Sequence, residues 1–185
     1  MRVEQLRRDF ALEVEFWAYD LRPGLPPEGL PRDLVYRDAR YTPEYVQYLW
    51  RVAQESGIRL ALPPVVANTH NAHEATEFAK EQEAADSFSR AVFAAYWEGE
   101  ENIGEIDTLC RLAQECGLAS QALRQALESG RYTQRVEEQM EWSRRESIGG
   151  VPTFIFDGRF ALEGAQSYDM FKSVTERILA TRRDG

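Results

Sequence analysis

The sequence predicts an α/β fold in which a small sheet is interrupted by an all-helical module, and three observations carry that prediction. Leu12, Val14, Phe16 and Ala18 alternate with Glu13, Glu15, Trp17 and Tyr19, the period of a strand with one covered face. "TFIF" and "RFAL" flank Asp157-Gly158, the strongest short-range hairpin signal in the chain. Between Thr42 and Gly130 the apolar residues instead recur at helical spacing.

Taken in order, Val3, Leu6 and Phe10 give a first helix over Met1 to Phe10 with one apolar stripe and almost no preceding cap. The alternating "LEVEFWAYDL" then reads as strand one. "RPGLPPEGLP" holds four prolines, which remove ladder donors and stop helices, so it reads as an ordered surface loop. "TPEYVQYLWRVAQESG" opens the helical module, with Thr42 as cap, Pro43 in the first turn and Gly57 as terminator. "HNAHEATEFAKEQ", "DSFSRAVFAAYW", "GEIDTLCRLAQECG" and "SQALRQALESG" follow as amphipathic helices. "TQRVEEQMEWSRRES" leads back out to the hairpin. The last helix, "SYDMFKSVTERILATRR", takes Ser167 as cap and buries Phe171, Val174 and Ile178.

Composition narrows the function classes. With 185 residues the chain can bury an ordinary core as one compact unit, without disulfide staples. A formal charge of −9, spread along the chain, disfavours phosphate backbones and anionic lipid, so neither nucleic acid nor membrane is expected as a partner. No apolar run approaches the roughly 20 residues of a membrane span, and "MRVEQLRRDF" lacks the apolar core of a secretory signal. Two cysteines are too few for a disulfide framework. A cytoplasmic location is the expectation.

"GGVPTFIF" places a proline at the first residue of a strand, where it costs no ladder bond. In context it follows a helix, opens the hairpin, and runs through "EGAQ" into the terminal helix. "GVPTFIFDGRFALEGAQ" resembles the C-terminal half of thioredoxin-fold proteins, and more narrowly the DsbA-like group that includes FrnE-type proteins and 2-hydroxychromene-2-carboxylate isomerases. "VEFWAYDLRPGLPPEG" resembles that group's second strand and following loop, and "ANTHNAHEATEFA" the start of its helical insertion. The resemblance implies a thioredoxin-like fold split over residues 1–41 and 131–185, with a helical insertion over 42–130. It further implies that Pro152 is cis, that Val151 offers its backbone to an extended substrate chain, and that Thr153 and the "EGAQ" turn shape the groove. Asn68 and His73 would face the same groove as substrate-positioning residues.

That family's first strand ends in a Cys-x-x-Cys turn at a helix start, where the helix N-terminus stabilises the attacking thiolate. No such motif occurs here. By position, the first strand and reactive turn are expected upstream of Met1, and no residue of this chain is assigned a catalytic role. The isomerases use a serine at that turn and bind glutathione there, which makes glutathione the one cofactor the resemblance raises. A sheet without its central strand has open edges, so either "LEVEFWAYDL" pairs directly with "TFIF" or a homodimer fills the gap. Implied substrates are proteins or small molecules carrying a thiol or disulfide, in a thiol–disulfide oxidoreductase whose redox segment lies outside this chain. The other readings are a noncatalytic peptide- or thiol-binding module and a glutathione-dependent isomerase of aromatic compounds.

Cys110 and Cys116 lie in one predicted helix, about 9 Å apart along its axis, whereas a disulfide needs under about 7 Å. Both share a stripe with Ile106, Leu109, Leu112 and Ala113 and read as small buried hydrophobes. If the helix ended early near Gly117, Cys116 would come round as partner in a secondary redox pair. His70 and His73 have metal-compatible spacing, but no further ligands converge, so no metal is assigned. The polar cluster "NTHNAHE" reads as a source of caps and hydrogen bonds.

Overall fold

A computed structural model of the chain describes residues 2–37, 42–55 and 57–183, with side chains through 181. Met1 and the expected boundary after residue 41 lie outside the described residues. Two compact units emerge, Phe16–Met140 and the pairing of Met1–Glu15 with Glu141–Gly185.

In the larger unit the chain forms β1 (Leu30–Pro31), α2 (Arg32–Val35), α3 (Pro43–Glu55), β2 (Val65–Val66), α4 (His70–Lys80), α5 (Ala85–Trp97), α6 (Ile106–Glu115) and α7 (Ser120–Glu128), and α8 (Thr133–Arg145) leads out of it. Ala75, Ala79, Phe88, Leu109, Ala113 and Leu123 are fully buried where α4 to α7 meet. The alanines let the helix axes approach while Phe88, Leu109 and Leu123 fill the space, the close packing that gives cores their density. Cys116 ends α6 through two bonds of a Schellman motif, Gly117 N–H to Gln114 O at 3.0 Å and Leu118 N–H to Ala113 O at 2.8 Å.

The proline-rich stretch is ordered from outside. Asn68 Nδ2 donates to Leu25 O at 2.7 Å and Asn102 Nδ2 to Glu28 O at 3.3 Å. Its end corrects one expectation, because Leu30–Pro31 does join a ladder, pairing antiparallel with Val66 and Val65. A proline is tolerated there because an edge position asks nothing of its missing N–H. Gly29 makes the approach possible. It sits at φ +79°, and a Cβ there would lie 2.5 Å from Val66 O, a clash in a conformation that L side chains avoid.

In the smaller unit α1 (Arg2–Asp9) packs on α9 (Tyr168–Arg183), and β3 (Thr153–Phe156) pairs antiparallel with β4 (Phe160–Glu163). Leu6 and Phe171 are its buried hydrophobic residues among those described. Phe154 meets the Phe171 ring edge-on at 4.7 Å and Phe156 lies 6.2 Å from it, so one face of the hairpin rests on α9. Ser167 caps α9 through Met170 N–H at 3.3 Å. The turn spans Asp157 to Arg159, with Asp157 at φ +54° and Gly158 at φ +63°, the pair of left-handed residues that a type I′ turn requires. Arg159 N–H closes that turn on Phe156 O at 3.0 Å, but the ladder begins one residue further on, with Phe156 opposite Phe160, so the second strand starts one residue later than expected.

The expected first strand is the main correction. Among the described residues, "LEVEFWAYDL" joins no sheet, and β3 pairs with β4 and not with it. Alternation records which side chains can be covered, but a strand forms only when a neighbouring backbone offers matching donors and acceptors. What the segment gains is a tertiary tie, Ala18 N–H donating to the Gln139 side-chain oxygen at 2.7 Å.

Candidate functional site

The loop before β3 is tied down on one side and left open on the other. Thr153 Oγ1 donates to Gly150 O at 2.7 Å, and Gly164 N–H donates to Pro152 O at 2.7 Å. These bonds fix Pro152 and Thr153 against the end of β4. Val151 has neither tie. Its side chain is 48 % exposed, and among the described residues no hydrogen bond engages its N–H or C=O. The Val151–Pro152 peptide bond is cis. The arrangement leaves one residue's worth of donor and acceptor at the entrance of a strand, which suits an extended chain laid alongside it.

Asn68 and His73 stand in the other unit, at the start of α4. Asn68 uses both ends of its amide, Nδ2 on Leu25 O and Oδ1 as acceptor from His70 N–H at 2.9 Å. It ties the proline loop to the helix start. The His73 imidazole is hydrogen-bonded to the backbone of Tyr19, and its Nε2 is buried without a partner. Burial lowers its pKa to about 4, against the opposing pull of Asp20, so the ring is neutral at physiological pH. His70 turns away to Glu74, Nε2 to Oε1 at 3.0 Å, and among the described residues no group of three His, Cys, Asp or Glu side chains is arranged to hold a metal.

Cys110 is buried in the helical core and Cys116 is half-buried at the helix end, both as free thiols. Burial raises the pKa of each, partly opposed at Cys110 by Arg124. A thiol pushed in that direction is a poor nucleophile at neutral pH.

Sequence reasoning missed the carboxylates that organise α4. Glu74 and Glu77 are buried. Glu74 accepts from Thr133 Oγ1 at 2.8 Å and Tyr132 N–H at 3.2 Å, while Glu77 accepts from Lys80 Nζ at 2.6 Å and Gln139 Nε2 at 2.8 Å. The available signal was their place beside Ala75, Phe78 and Ala79 on the apolar face of α4, where a carboxylate is stable only with partners. Tyr132 closes the cluster. Its hydroxyl donates to Glu81 at 2.7 Å, and burial with that contact pushes its pKa up to about 12.

A family model for the DSBA-like thioredoxin domain matches residues 1–176. The chain belongs to the DsbA-like thioredoxin domain family. Its relative YwbO, an uncharacterized protein of Bacillus subtilis (strain 168), is 31% identical over 169 residues, which span 87% of this chain and 80% of YwbO. A Streptomyces coelicolor protein described as a probable DsbA oxidoreductase superposes with a TM-score of 0.84 at 21% identity, over 97% of this chain and 82% of its own. A 2-hydroxychromene-2-carboxylate isomerase superposes with a TM-score of 0.75 at 23% identity, over 99% and 89% of the two chains. At these identities the two structures attest the fold. In this DsbA-like chain that fold combines a helical module with a hairpin and terminal helix, as the resemblance implies.

Proposed function

We propose that this chain is the substrate-holding part of a DsbA-like thiol–disulfide oxidoreductase, with Val151, Pro152 and Thr153 receiving an extended substrate backbone. The unengaged N–H and C=O of Val151, beside bonds that immobilise Pro152 and Thr153, is the observation that carries this reading. In the exchange, a thiolate attacks one sulfur of a substrate disulfide, a mixed disulfide forms, and the displaced sulfur leaves as thiolate and takes up a proton. A second thiol then resolves the mixed disulfide, so the enzyme dithiol is oxidised as the substrate disulfide is reduced. The raised pKa values of Cys110 and Cys116 oppose their serving as attackers, and the reacting pair is assigned to residues outside this sequence. Asn68 and His73 enter as residues that hold the start of α4. Substrates in this reading are disulfide-bearing proteins or small molecules, or thiol-bearing ones when the exchange runs in reverse, with glutathione as a candidate cofactor.

A second reading, a noncatalytic module that binds peptide or thiol, rests on the same burial of both cysteines. Two measurements address both. Titration of the 15N-labelled chain with reduced, alkylated insulin B chain should shift the amides of Val151 and Thr153 saturably. Absence of those shifts would overturn the substrate-holding role in either reading. Insulin reduction by dithiothreitol should proceed no faster with this chain present, and acceleration would place a competent redox pair within the 185 residues. If a preparation carrying residues ahead of Met1 also failed to accelerate it, the noncatalytic reading would replace the first.

A further inference from the structure

Within Phe16–Met140, a pocket of about 430 Å³ opens between α2, α3 and the segment leading into β2, lined by Arg32, Asp33, Tyr36, Val46, Leu62 and Pro64. Its volume is in the range of small-molecule sites, and its walls set the apolar side chains of Val46, Leu62 and Pro64 against the polar groups of Arg32, Asp33 and Tyr36, a mixture of apolar surface and a few orienting groups that such sites share.

Arg32 is the unusual member. Its backbone N–H donates to Pro64 O at 2.7 Å and its Nε to Pro63 O at 2.6 Å, and its guanidinium lies 5.0 Å over the Tyr36 ring. The Nε bond and the ring contact therefore hold the guanidinium in one orientation, on a backbone fixed by the bond to Pro64. Its remaining donors are idle. Nη2 is buried with no partner, and no hydrogen bond or ion pair engages Nη1 among the described residues. A guanidinium cannot discharge itself by losing a proton, so a buried donor face without an acceptor keeps its full desolvation cost until one arrives. Arg22 adds a second cation, 4.5 Å over the same ring.

We propose that this pocket binds a small organic monoanion, an apolar body ending in a carboxylate. The end-on fork of Nη1 and Nη2 matches the two oxygens of a carboxylate in spacing and plane. Val46, Leu62 and Pro64 then cover the apolar body. Asp33 in the lining selects against a dianion such as phosphate, whose second charge it would repel. This site is independent of the thiol-exchange reading and stands or falls by its own test.

The test is titration of the 15N-labelled 185-residue chain with sodium octanoate, octanamide and inorganic phosphate, followed at the amides of Tyr36, Val46 and Leu62. Octanoate should give saturable shifts at these residues with a dissociation constant at least tenfold lower than octanamide, and phosphate should give none. Arg32→Gln should abolish the preference for octanoate over octanamide, and Val46→Trp should weaken both by filling the cavity. Equal binding of octanoate and octanamide to the wild-type chain would overturn the proposal, whether or not Arg32→Gln folds. So would saturable phosphate binding, or octanoate shifts that do not saturate.

Discussion

The two units treat buried and exposed surface in opposite ways. In Phe16–Met140 the helices close on one another until Phe88, Leu109 and Leu123 are fully buried, and even Glu74 and Glu77 find partners inside. In the unit built from Met1–Glu15 and Glu141–Gly185, Leu6 and Phe171 are the buried hydrophobics among the described residues, and the hairpin buries none of its own. Ile155 and Phe160 are about two-fifths exposed, at 39 % and 43 %, and Val151 keeps its backbone unpaired. A helix satisfies its backbone internally, so a helical unit can finish itself, whereas a two-stranded hairpin leaves donors, acceptors and one face for something else. The proposed recognition of an extended chain accordingly draws on the unit that leaves backbone groups open, not on the one that closes its own core.

The largest expected effects test whether the units really differ. Phe171→Ala removes the ring on which Phe154 and Phe156 rest, and should cost about 3–5 kcal/mol, as does loss of a buried aromatic side chain generally. Phe88→Ala should cost a similar amount in the other unit. Hydrogen exchange would read them apart, with Phe171→Ala raising exchange in β3, β4 and α9 and Phe88→Ala raising it in α4 to α7. Equal acceleration everywhere in both variants would mean one cooperative system and end the contrast.

His73 sharpens the comparison from the side of the closed unit. Its pKa of about 4 lies below the unfolded value near 6.5. Between those pH values the unfolded chain binds the extra proton, so stability is fully present above pH 6.5 and declines as pH falls toward 4. The gap corresponds to about 3 kcal/mol. Urea unfolding at pH 7.5 and pH 4.5 should show this loss in the wild type and a smaller one in His73→Gln. Parallel losses would mean that other groups carry the acid sensitivity.

Local chemistry was legible in the sequence wherever one segment decides its own structure. Thr42, whose Oγ1 accepts from Tyr45 N–H at 3.2 Å, Gly117 after α6, Ser167 before α9 and the Asp157-Gly158 turn all act within a few residues of themselves. Non-local partnership was not legible. Leu12 to Ala18 alternates as a strand should, yet it joins no ladder because no described backbone pairs with it. Glu74 and Glu77 find their partners, Thr133 and Gln139, some 60 residues later, so the segment itself does not show what keeps them buried. At the site, "GVPT" pointed to the loop, but the bonds that leave Val151 open involve Gly164 and were visible only in three dimensions.

Smaller effects are expected where the hairpin meets solvent. Gly158→Ala would place a Cβ at φ +63°, and the left-handed penalty predicts a loss of about 1–2 kcal/mol. Nothing lies within 4 Å of that Cβ, so the cost is purely conformational. Asp157→Gly relaxes the neighbouring residue and should be neutral or slightly stabilising. A larger loss in Gly158→Ala, in thermal unfolding, would show that the turn pins the strand register as well as closing the loop.

Ile155→Lys should change stability least, by about 0.5 kcal/mol or less, since the residue faces outward opposite Ala161. Its value lies in what else it changes. A charge on an exposed strand is a common guard against pairing between chains. If the open face of the hairpin brings two copies together, sedimentation velocity should show a concentration-dependent species in the wild type that Ile155→Lys diminishes. If instead the face serves only a substrate chain, wild type and variant should sediment alike and the variant should weaken the binding of insulin B chain. The two outcomes assign the same unfinished surface to self-association or to substrate, and a variant that alters neither would leave Val151 and its backbone as the whole of the recognition edge.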